Sequence, residues 1–292
     1  MNSPWVAIQR NPRSGSGPKR AVILELIREI RRLGIRPRLF SRREHLDSVL
    51  QDKNRSASLR CIVAAGGDGT VGDLINRHPG IPLAVLPLGT ENLIAKYLGI
   101  PCSGRFVAEM IANGKIRTLD VCEMGDKRFS IMASVGFDAD VVHRTHARRR
   151  GHIRKYSYLQ PIWQSLRKYT YPDLNVFVDD NPDPLSGKLV VVVNMPAYAM
   201  KLPIASSAEP DDGLLDVRIF ARGSGFQMLR YFYKVLRNRH EQLPDVTSIR
   251  ASCIRIESSE PAPIQMDGDP AGQTPAFIQV VPSALQFYVP DS

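Results

Sequence analysis

The sequence predicts an α/β N-terminal domain with a largely parallel sheet over residues 1–116 and a mainly antiparallel β-sandwich over residues 117–292. Two observations predict this fold. In the first part, short apolar runs alternate with amphipathic helical patterns, and such alternation builds a parallel sheet with helices on both faces. In the second part, strand-like runs joined by turns dominate, which is typical of a sandwich or barrel. We expect a cleft between the domains, where binding sites commonly form, and the last segment is a candidate to return to the first domain.

The elements of the first domain follow in order along the chain. Buried strands are predicted at residues 5–8, 36–40, 60–65 and 83–87. Helices are predicted at residues 21–33, 71–76, 92–98 and 104–113. The first helix has an apolar face made of Val22, Ile23, Leu26, Ile27 and Ile30. Gly34 follows this helix, and a glycine in that place predicts a left-handed cap that ends it.

The second domain is predicted to consist mainly of strands. They fall at residues 116–123, 127–135, 174–178, 188–194, 214–220, 246–256 and 275–281. Helical patterns interrupt them at residues 153–168 and 225–237. No apolar run reaches the ~20 residues that a transmembrane helix needs. The first residues also lack the charged-then-apolar pattern of a signal peptide.

The charge of the chain indicates anionic partners. Its 39 Lys and Arg residues exceed its 29 Asp and Glu residues, which gives a net charge of +10. The segment from His143 to Lys155 is densely basic, and aromatic and aliphatic residues follow from Tyr156 to Trp163. This pattern suits transient contact with an anionic membrane surface, and a solvated helix face explains it equally well. Nucleic acid is not expected, because no recognition motif accompanies the charge.

The four cysteines show no metal-type spacing. Cys61 and Cys253 lie in strand-like runs, where a small buried side chain is the ordinary interpretation. We therefore expect a protein of the reducing cytoplasm that is peripheral at the inner membrane face. The sequence leaves the oligomeric state open, with a homodimer as one alternative.

A glycine-rich turn, Gly66-Gly67-Asp68-Gly69-Thr70, follows the third predicted strand. Glycines let backbone N–H groups approach an anion without a Cβ in the way. A carboxylate beside phosphates is repelled unless a cation lies between them, so Asp68 predicts a nucleotide site that needs Mg²⁺. For three glycines alone, an ordinary turn between strand and helix would be the better interpretation.

Polar turns also follow the other three strands of the first domain. The first is Asn11-Pro12-Arg13-Ser14-Gly15, the second begins at Ser41, and the fourth is Pro87-Leu88-Gly89-Thr90. The first turn precedes Lys19, but its glycine spacing and the missing Ser or Thr after the lysine exclude a Walker loop. Open parallel sheets bind ligands at the carboxyl ends of their strands, so four such turns together indicate a phosphate site.

These motifs, in this order and spacing, resemble the catalytic domain shared by diacylglycerol kinases, sphingosine kinases and bacterial soluble lipid kinases. Two later segments extend the resemblance over nearly the whole chain. They are the acidic turn from Glu209 to Val217 and the short motif Met266-Asp267-Gly268-Asp269. Four positions depart from the family pattern, namely Gly72-Asp73 for Asn-Glu, Leu93 for Asp and Asp269 for Glu.

The resemblance implies roles for individual residues. ATP would be held by Asn11, Pro12, Arg13, Ser14, Gly15, Ser41, Gly66, Gly67, Asp68, Gly69, Thr70, Gly72, Asp73 and Thr90. Asp68 would organise Mg²⁺ for catalysis. Asp212, with main-chain oxygens of Glu209 and Leu214, would hold a second, structural metal, and a plain β-hairpin is the alternative for that turn. Asp267 and Asp269 would supply the base that takes the proton from a hydroxyl group, with Asp267 favoured as the nearer carboxylate and the opposite order left open.

The resemblance therefore implies an ATP- and Mg²⁺-dependent lipid kinase that phosphorylates a hydroxyl of diacylglycerol, a sphingoid base or a related lipid. Residues 156–163 and 195–204 are candidates to line the lipid site, and core packing is the alternative for them. A second hypothesis is an NAD kinase-like enzyme, whose family shares the Gly-Gly-Asp-Gly-Thr turn. A third is a nucleotide-binding, membrane-associated sensor without turnover, which the departures at Gly72, Leu93 and Asp269 motivate.

Overall fold

The computed structural model describes residues 4–11, 19–148, 158–196 and 202–291. The chain divides into two compact units. Unit 1 comprises Met1–Leu119 and Ser283–Ser292, and unit 2 comprises Asp120–Pro282. The boundary thus follows Leu119, close to the predicted boundary after residue 116, and the last residues belong to unit 1.

Unit 1 is an α/β unit with a parallel sheet. Its strands are β1 (Trp5–Arg10), β2 (Arg36–Phe40), β3 (Leu59–Gly66) and β4 (Leu83–Pro87). Its helices are α1 (Lys19–Arg32), α2 (Arg43–Gln51), α3 (Lys53–Ser56), α4 (Asp68–Arg77), α5 (Leu93–Tyr97) and α6 (Gly104–Asn113). The strand order is β2-β1-β3-β4, all parallel. The α/β fold predicted for the first part of the chain is therefore confirmed.

Buried apolar strands and close helix packing stabilise unit 1. Strand β3 is fully buried from Cys61 onward, as expected for a parallel sheet covered on both faces. Helix α6 packs on α1 so closely that a Cβ on Gly104 would lie 2.4 Å from the amide nitrogen of Leu26. Gly34, at φ +76°, ends α1, and its N–H donates to the carbonyl of Arg31. The predicted left-handed cap is thus confirmed.

Unit 2 is a β-sandwich, and its described residues include three helices. Its strands are β6 (Lys127–Phe129), β7 (Met132–Gly136), β8 (Leu174–Val178), β9 (Leu185–Gly187), β10 (Leu189–Val193), β11 (Leu215–Phe220), β12 (Val246–Ala251), β13 (Cys253–Ser258), β14 (Pro263–Met266) and β15 (Asp269–Gln273). Its helices are α7 (Phe137–Ala147), α8 (Leu159–Lys168) and α9 (Gly225–Leu236), with a 3₁₀ turn at His240–Gln242. Strands β5 (Lys115–Met124) and β16 (Ala276–Val289) contribute residues to both units.

The two layers of the sandwich enclose one apolar core. One sheet has the antiparallel order β12-β11-β10-β7-β14-β15, and the other layer includes β9, β8, β13 and the first part of β16. The core between them includes Val135, Val190 and Val217 from one sheet and Val176 and Ile254 from the other. The predicted antiparallel sandwich is confirmed.

Some elements differ from the sequence prediction. Residues 246–256 form two strands in different sheets, since the chain changes sheet at Ser252. Asp179 fixes this corner by accepting hydrogen bonds from the Ser252 amide at 2.9 Å and the Cys253 amide at 3.0 Å. Residues 127–135 likewise divide into β6 and β7, and helices α2, α3 and α7 are additional to those that periodicity predicts.

All four cysteines are free. Cys61 is buried, as predicted, and burial raises the pKa of its thiol to about 12. Cys253 is only half-buried. The buried thiol of Cys61 is therefore protonated and unreactive at neutral pH.

A polar cluster anchors α9 to the loop before β12. Asp245, whose side chain is 8% exposed, accepts from the Arg230 guanidinium at 2.7 Å and from the Tyr231 hydroxyl at 2.8 Å. The bonds from Arg230 lead the causes that lower the pKa of Asp245 from 3.8 to about 2. A carboxyl group with a lowered pKa stabilises the fold above its unfolded pKa and ceases to do so as the pH falls through its folded pKa.

Replacing Asp245 with Asn is therefore expected to lower the free energy of unfolding by about 2 kcal/mol near neutral pH. The difference between parent and variant should shrink as the pH falls below about 4, and it should vanish only below about 2, since Asp245 is still half ionised at its folded pKa. Urea unfolding over this pH range measures it. Asp126→Asn, at an exposed turn between β5 and β6, serves as the matched control and should change stability little. A loss of unfolding free energy that stays the same at every pH would contradict an electrostatic origin of the stabilisation by Asp245.

Among the described residues, none of the helices combines the length and the apolar character that crossing a bilayer requires.

Candidate functional site

The polar turns of unit 1 lie at the carboxyl ends of its parallel strands. Ser41 follows β2 directly and is exposed. Asn11 follows β1, and its N–H donates to the carbonyl of Ala65 at the end of β3. The amide of Leu88, after β4, donates to the carbonyl of Gly66 at 2.8 Å. Pro12, Arg13, Ser14 and Gly15 lie outside the described residues.

Two glycine turns meet in backbone contact at this edge. A Cβ on Gly89 would lie 2.5 Å from the Cα of Gly67, and a Cβ on Gly66 would lie 2.1 Å from the Thr70 hydroxyl oxygen. Only glycine fits such approaches. Asn92, at φ +51°, fixes the second turn, since its Oδ1 accepts from the Gly89 amide at 2.8 Å. We refer to Gly66–Thr70 together with Gly89 as the glycine cradle.

The glycine cradle opens helix α4. The amides of Thr70 and Val71 donate to the carbonyl of Gly67, and the amides of Asp68 and Gly69 before them have no carbonyl one turn earlier in the helix. Such a helix start favours an anion through its free N–H groups and its dipole. The hydroxyl of Thr70 is buried, with the residue 5% exposed, and has no hydrogen-bond partner in the part of the chain that the structure describes. A buried hydroxyl left unpaired is costly, and a phosphate oxygen would satisfy it. The cradle therefore fits a phosphate group.

Asp68 and Lys19 supply charge beside the glycine cradle. Asp68 is the first residue of α4, and one of its oxygens accepts from the Ile94 amide at 3.1 Å. Mg²⁺ at phosphate sites is commonly held by one or two carboxylates together with the phosphates themselves, and Asp68 fits that requirement. Within the described ranges, no group of three or more His, Cys, Asp or Glu side chains could hold a metal alone. The ammonium of Lys19 donates to the carbonyl of Leu88, which brings a cation next to Gly89.

The remaining unit 1 candidates differ in their surroundings. Thr90 is exposed in the same turn as Gly89, and Gly69 is exposed in the cradle. Gly72 lies inside α4, where a Cβ would meet nothing within 4 Å. Asp73 is paired with Arg77 at 2.7 Å and with Arg43 at 3.1 Å. These two arginines already compensate the charge of the Asp73 carboxylate at the surface of α4. The structure does not bring Asp73 together with the cradle.

In unit 2, the two C-terminal aspartates are separated by a hairpin turn. Asp267 and Gly268 both have positive φ, +47° and +85°, between β14 and β15. Two positive φ values favour an Asp-Gly pair in this kind of turn. Asp267 accepts hydrogen bonds at 2.9 Å from the amides of Ser130, Ile131 and Met132. Both of its oxygens are therefore held by the backbone.

Asp269 has a different environment. Its side chain is 69% exposed, and Nε2 of His146, on α7, lies 3.4 Å from its Oδ1. Asp267 is thus fixed by backbone amides, whereas Asp269 is accessible. Which of the two carboxylates accepts the proton stays a prediction. Sequence spacing gives no signal for the amide donors of Asp267, which lie more than a hundred residues earlier.

The acidic turn of unit 2 is neutralised by arginine. One oxygen of Asp212 accepts from the Leu214 amide at 3.0 Å, and the other is paired with the guanidinium of Arg250. Nε of Arg250 also lies 3.6 Å from Asp216. The buried carboxylate of Asp120 accepts from the Gly213 amide at 2.7 Å. Because the guanidinium of Arg250 already compensates the charge of Asp212, these contacts do not favour the expected metal site of Asp212, Glu209 and Leu214, which stays a prediction.

Replacing Arg250 with Gln is therefore expected to lower Tm, because Asp212 and Asp216 lose their compensating cation. Added Mg²⁺ or Ca²⁺ should restore part of the loss in the variant and change the parent little, since oxygen-rich carboxylate sites attract hard cations. Thermal unfolding with and without the cation measures this. Arg255→Gln, whose residue has the same 47% side-chain exposure and a surface partner in Glu257, is the matched control. An equal response of the parent would contradict the role assigned to Arg250.

The residues predicted to contact lipid or membrane have mixed surroundings. Met195, Leu202 and Ile204 are buried, which supports core packing for them. His143 and Arg144, at the start of the basic segment, bond within unit 2, to the carbonyl of Ile264 and to Asp140. Residues 149–157 and 197–201 lie outside the described residues.

Comparison with known proteins places the chain among kinases. Residues 6–124 match the family described as "Diacylglycerol kinase catalytic domain", and residues 131–289 match the "YegS C-terminal NAD kinase beta sandwich-like domain". A diacylglycerol kinase of Mycobacterium tuberculosis is 30% identical over 78% of this chain and 76% of its own length. One from Staphylococcus carnosus is 22% identical over 96% and 93%.

Two further comparisons bear on length and fold. An uncharacterized protein of Synechocystis is 26% identical over 78% of this chain, which spans only 54% of that relative. A crystal structure of a diacylglycerol kinase from Bacillus anthracis has a TM-score of 0.74 at 20% identity, covering 99% of this chain and 97% of that one. At that identity the likeness shows the shared fold alone.

The family matches cover both parts of the chain and agree with the motifs at the strand ends. They confirm the enzyme class that the resemblance implies, a phosphotransferase with an alcohol group as acceptor. The chain belongs to the diacylglycerol kinase family.

Proposed function

We propose that this chain transfers the γ-phosphate of ATP, with Mg²⁺, to a hydroxyl of diacylglycerol, a sphingoid base or a related lipid at an anionic membrane surface. Membership of the family supports a lipid kinase. The observation that carries the proposal is the glycine cradle, with its backbone contact between Gly67 and Gly89 and the unpaired hydroxyl of Thr70.

The groups of unit 1 would bind and orient the nucleotide. The free amides at the start of α4 would donate to phosphate oxygens, and the Thr70 hydroxyl would donate one further bond. Lys19 would add positive charge beside the phosphates. Mg²⁺ held by Asp68 would neutralise the negative charge that develops on the transferred phosphoryl group. Asn11, Ser41 and Thr90 stay candidates for the nucleoside end, because each lies at the same edge of the sheet.

Asp269 of unit 2 would act on the lipid. An alcohol is a weak nucleophile at neutral pH, and a positioned carboxylate that accepts its proton contributes about 10²–10⁴-fold to the rate. The exposed carboxylate of Asp269 can reach a hydroxyl, whereas Asp267 has both oxygens bonded to amides. Asp267 would instead act as a positioning residue, since it fixes the hairpin that carries Asp269.

The test is transfer of labelled phosphate from ATP, with Mg²⁺, to diacylglycerol, sphingosine and monoacylglycerol in mixed micelles, with NAD as a parallel acceptor. We expect one of the lipids to become labelled and the label to disappear when Mg²⁺ is chelated. Labelled NADP would overturn the lipid assignment in favour of an NAD kinase-like enzyme. Nucleotide binding without transfer to any acceptor would favour a sensor without turnover.

A further inference from the structure

Helix α9 has two apolar faces, of which only one is buried. Met228, Tyr231 and Val235 are buried in unit 2. On the other side, a stripe of large apolar side chains is exposed to solvent, from Phe226 at 74% to Leu236 at 53%. The stripe consists of Phe226, Leu229, Phe232, Tyr233 and Leu236. At 3.6 residues per turn these five positions cover an arc of about 120°. So wide an unburied apolar arc on one short helix marks an interaction surface.

Cations border this stripe. Arg230 and Lys234 lie on the next arc of the helix, and Arg237 stacks over the ring of Tyr233 at 5.1 Å. Arg239 follows just after the helix and is exposed. Neither Lys234 nor Arg239 pairs with a carboxylate in the chain segments that the structure describes. Apolar side chains beside unpaired cations are the features of a helix that lies at a lipid interface.

Helix α8 extends the same chemistry. It packs directly on the start of α9, since a Cβ on Gly225 would lie 2.5 Å from the carbonyl oxygen of Leu166. Leu159 and Trp163, one turn apart on α8, are exposed, and Arg167 lies 4.3 Å above the Trp163 ring. Tryptophan with a neighbouring arginine suits the boundary between headgroups and acyl chains.

Charge decides between a bilayer and a second copy of the chain. Neither α8 nor α9 contains an Asp or Glu residue. A two-fold dimer would place this face against itself, so its cations would meet like charges with no carboxylate from either helix between them. An anionic lipid surface instead attracts each unpaired cation, such as Lys234 and Arg239, by about 1 kcal/mol while the apolar stripe enters the interface.

We infer that the exposed faces of α8 and α9 form a docking surface for an anionic lipid bilayer. The inference rests on the proposed function only in that a lipid acceptor resides in a bilayer. It places a membrane contact on the stripe of α9 and on Leu159 and Trp163 of α8, in addition to the basic segment, most of which lies outside the described residues.

The test is sedimentation of the full chain with vesicles of pure phosphatidylcholine or of phosphatidylcholine mixed with phosphatidylglycerol, without nucleotide. We expect binding to the mixed vesicles that weakens as salt is added. Phe226→Ser with Phe232→Ser should lower the partition coefficient by about tenfold or more. Lys234→Glu with Arg239→Glu should remove the preference for the anionic lipid while leaving the stripe intact.

Matched controls come from α1, which also exposes a leucine and an arginine. Leu24→Ser and Arg28→Glu should sediment like the parent. Undiminished vesicle binding by both α9 double variants, each folded by circular dichroism, would overturn the inference. Analytical ultracentrifugation tests the alternative. If the parent is a dimer and Phe226→Ser with Phe232→Ser is a monomer, the inference is overturned in favour of an interface between copies of the chain.

A second measurement keeps this inference separate from the proposed function. With the acceptor dispersed in detergent micelles, both α9 double variants should phosphorylate it at the parent rate, and only with vesicles should their rate fall. Vesicle binding by a parent chain that phosphorylates no lipid would contradict the proposed function and leave the docking surface standing. A loss of micellar activity equal to the loss on vesicles would overturn the docking role.

Discussion

Replacing Asp269 with Asn is expected to lower the rate of phosphoryl transfer by about 10²–10⁴-fold while nucleotide binding and Tm stay close to those of the parent. The amide keeps the size of the side chain but cannot accept the proton of the lipid hydroxyl. The Asp269 side chain is 69% exposed, and His146 at 3.4 Å is its one ion-pair partner among the described residues, so little structural stabilisation is lost. The measurements are initial rates on a micellar lipid, nucleotide titration and thermal unfolding of the same preparations.

The matched variant is Asp267→Asn, which should act in a different way. Its carboxylate accepts from three backbone amides, and an Asn amide group would place N–H against N–H in at least one of those bonds. Leaving buried donors unsatisfied costs about 1–3 kcal/mol. Asp267→Asn is therefore expected to lower Tm and to lose activity through a displaced hairpin.

Two outcomes would reverse the assignment. Parent-like turnover by Asp269→Asn would exclude Asp269 as the base. Loss of turnover in Asp267→Asn with unchanged Tm would restore Asp267 to that role. Asp269→Glu gives a further check, because the longer carboxylate can still accept a proton and should recover part of the rate that Asn loses.

The sequence predicts unit 1 well because its site is built from local patterns. The turn Gly66–Thr70 lies between an apolar run and a helical pattern, and parallel strands bring such turns to one edge. The close approach of Gly67 to Gly89 follows from that topology, and the two turns are only about one strand and one helix apart. Asp73 is the exception, since its arginine partners are unrelated to the glycine motif.

Unit 2 is less accessible to sequence reasoning, since its decisive contacts join distant segments. Asp267 is held by amides around Ile131, and backbone donors leave no trace in the side-chain pattern. The pairing of Asp212 with Arg250 likewise joins a turn to the end of a distant strand. The carboxylate that the motif implies as a metal ligand is therefore paired with a guanidinium. The antiparallel sandwich itself is predictable from alternation, whereas the residues that neutralise its carboxylates are not.

Replacing Gly89 with Ala is expected to weaken nucleotide binding by tenfold or more, about 1.4 kcal/mol or greater, and to lower the free energy of unfolding by about 1–3 kcal/mol. The new Cβ would lie 2.5 Å from the Cα of Gly67 and 2.6 Å from the Asn92 side-chain oxygen. The first of these neighbours is backbone, so the two turns must separate, and the amides that face a phosphate move with them. Isothermal titration with ATP and urea unfolding measure the two effects.

Gly72→Ala is the matched control for the change from glycine to alanine. Gly72 lies within α4, where the added Cβ meets nothing within 4 Å. Alanine inside a helix is favoured over glycine by about 0.5–1 kcal/mol, so this variant should be at least as stable as the parent. Because both variants replace glycine with alanine, a difference between them in ATP affinity or stability isolates the effect of the backbone contact between Gly67 and Gly89. Parent-like ATP affinity in Gly89→Ala would mean that the phosphates bind elsewhere, since no phosphate site made by these two turns could survive their separation.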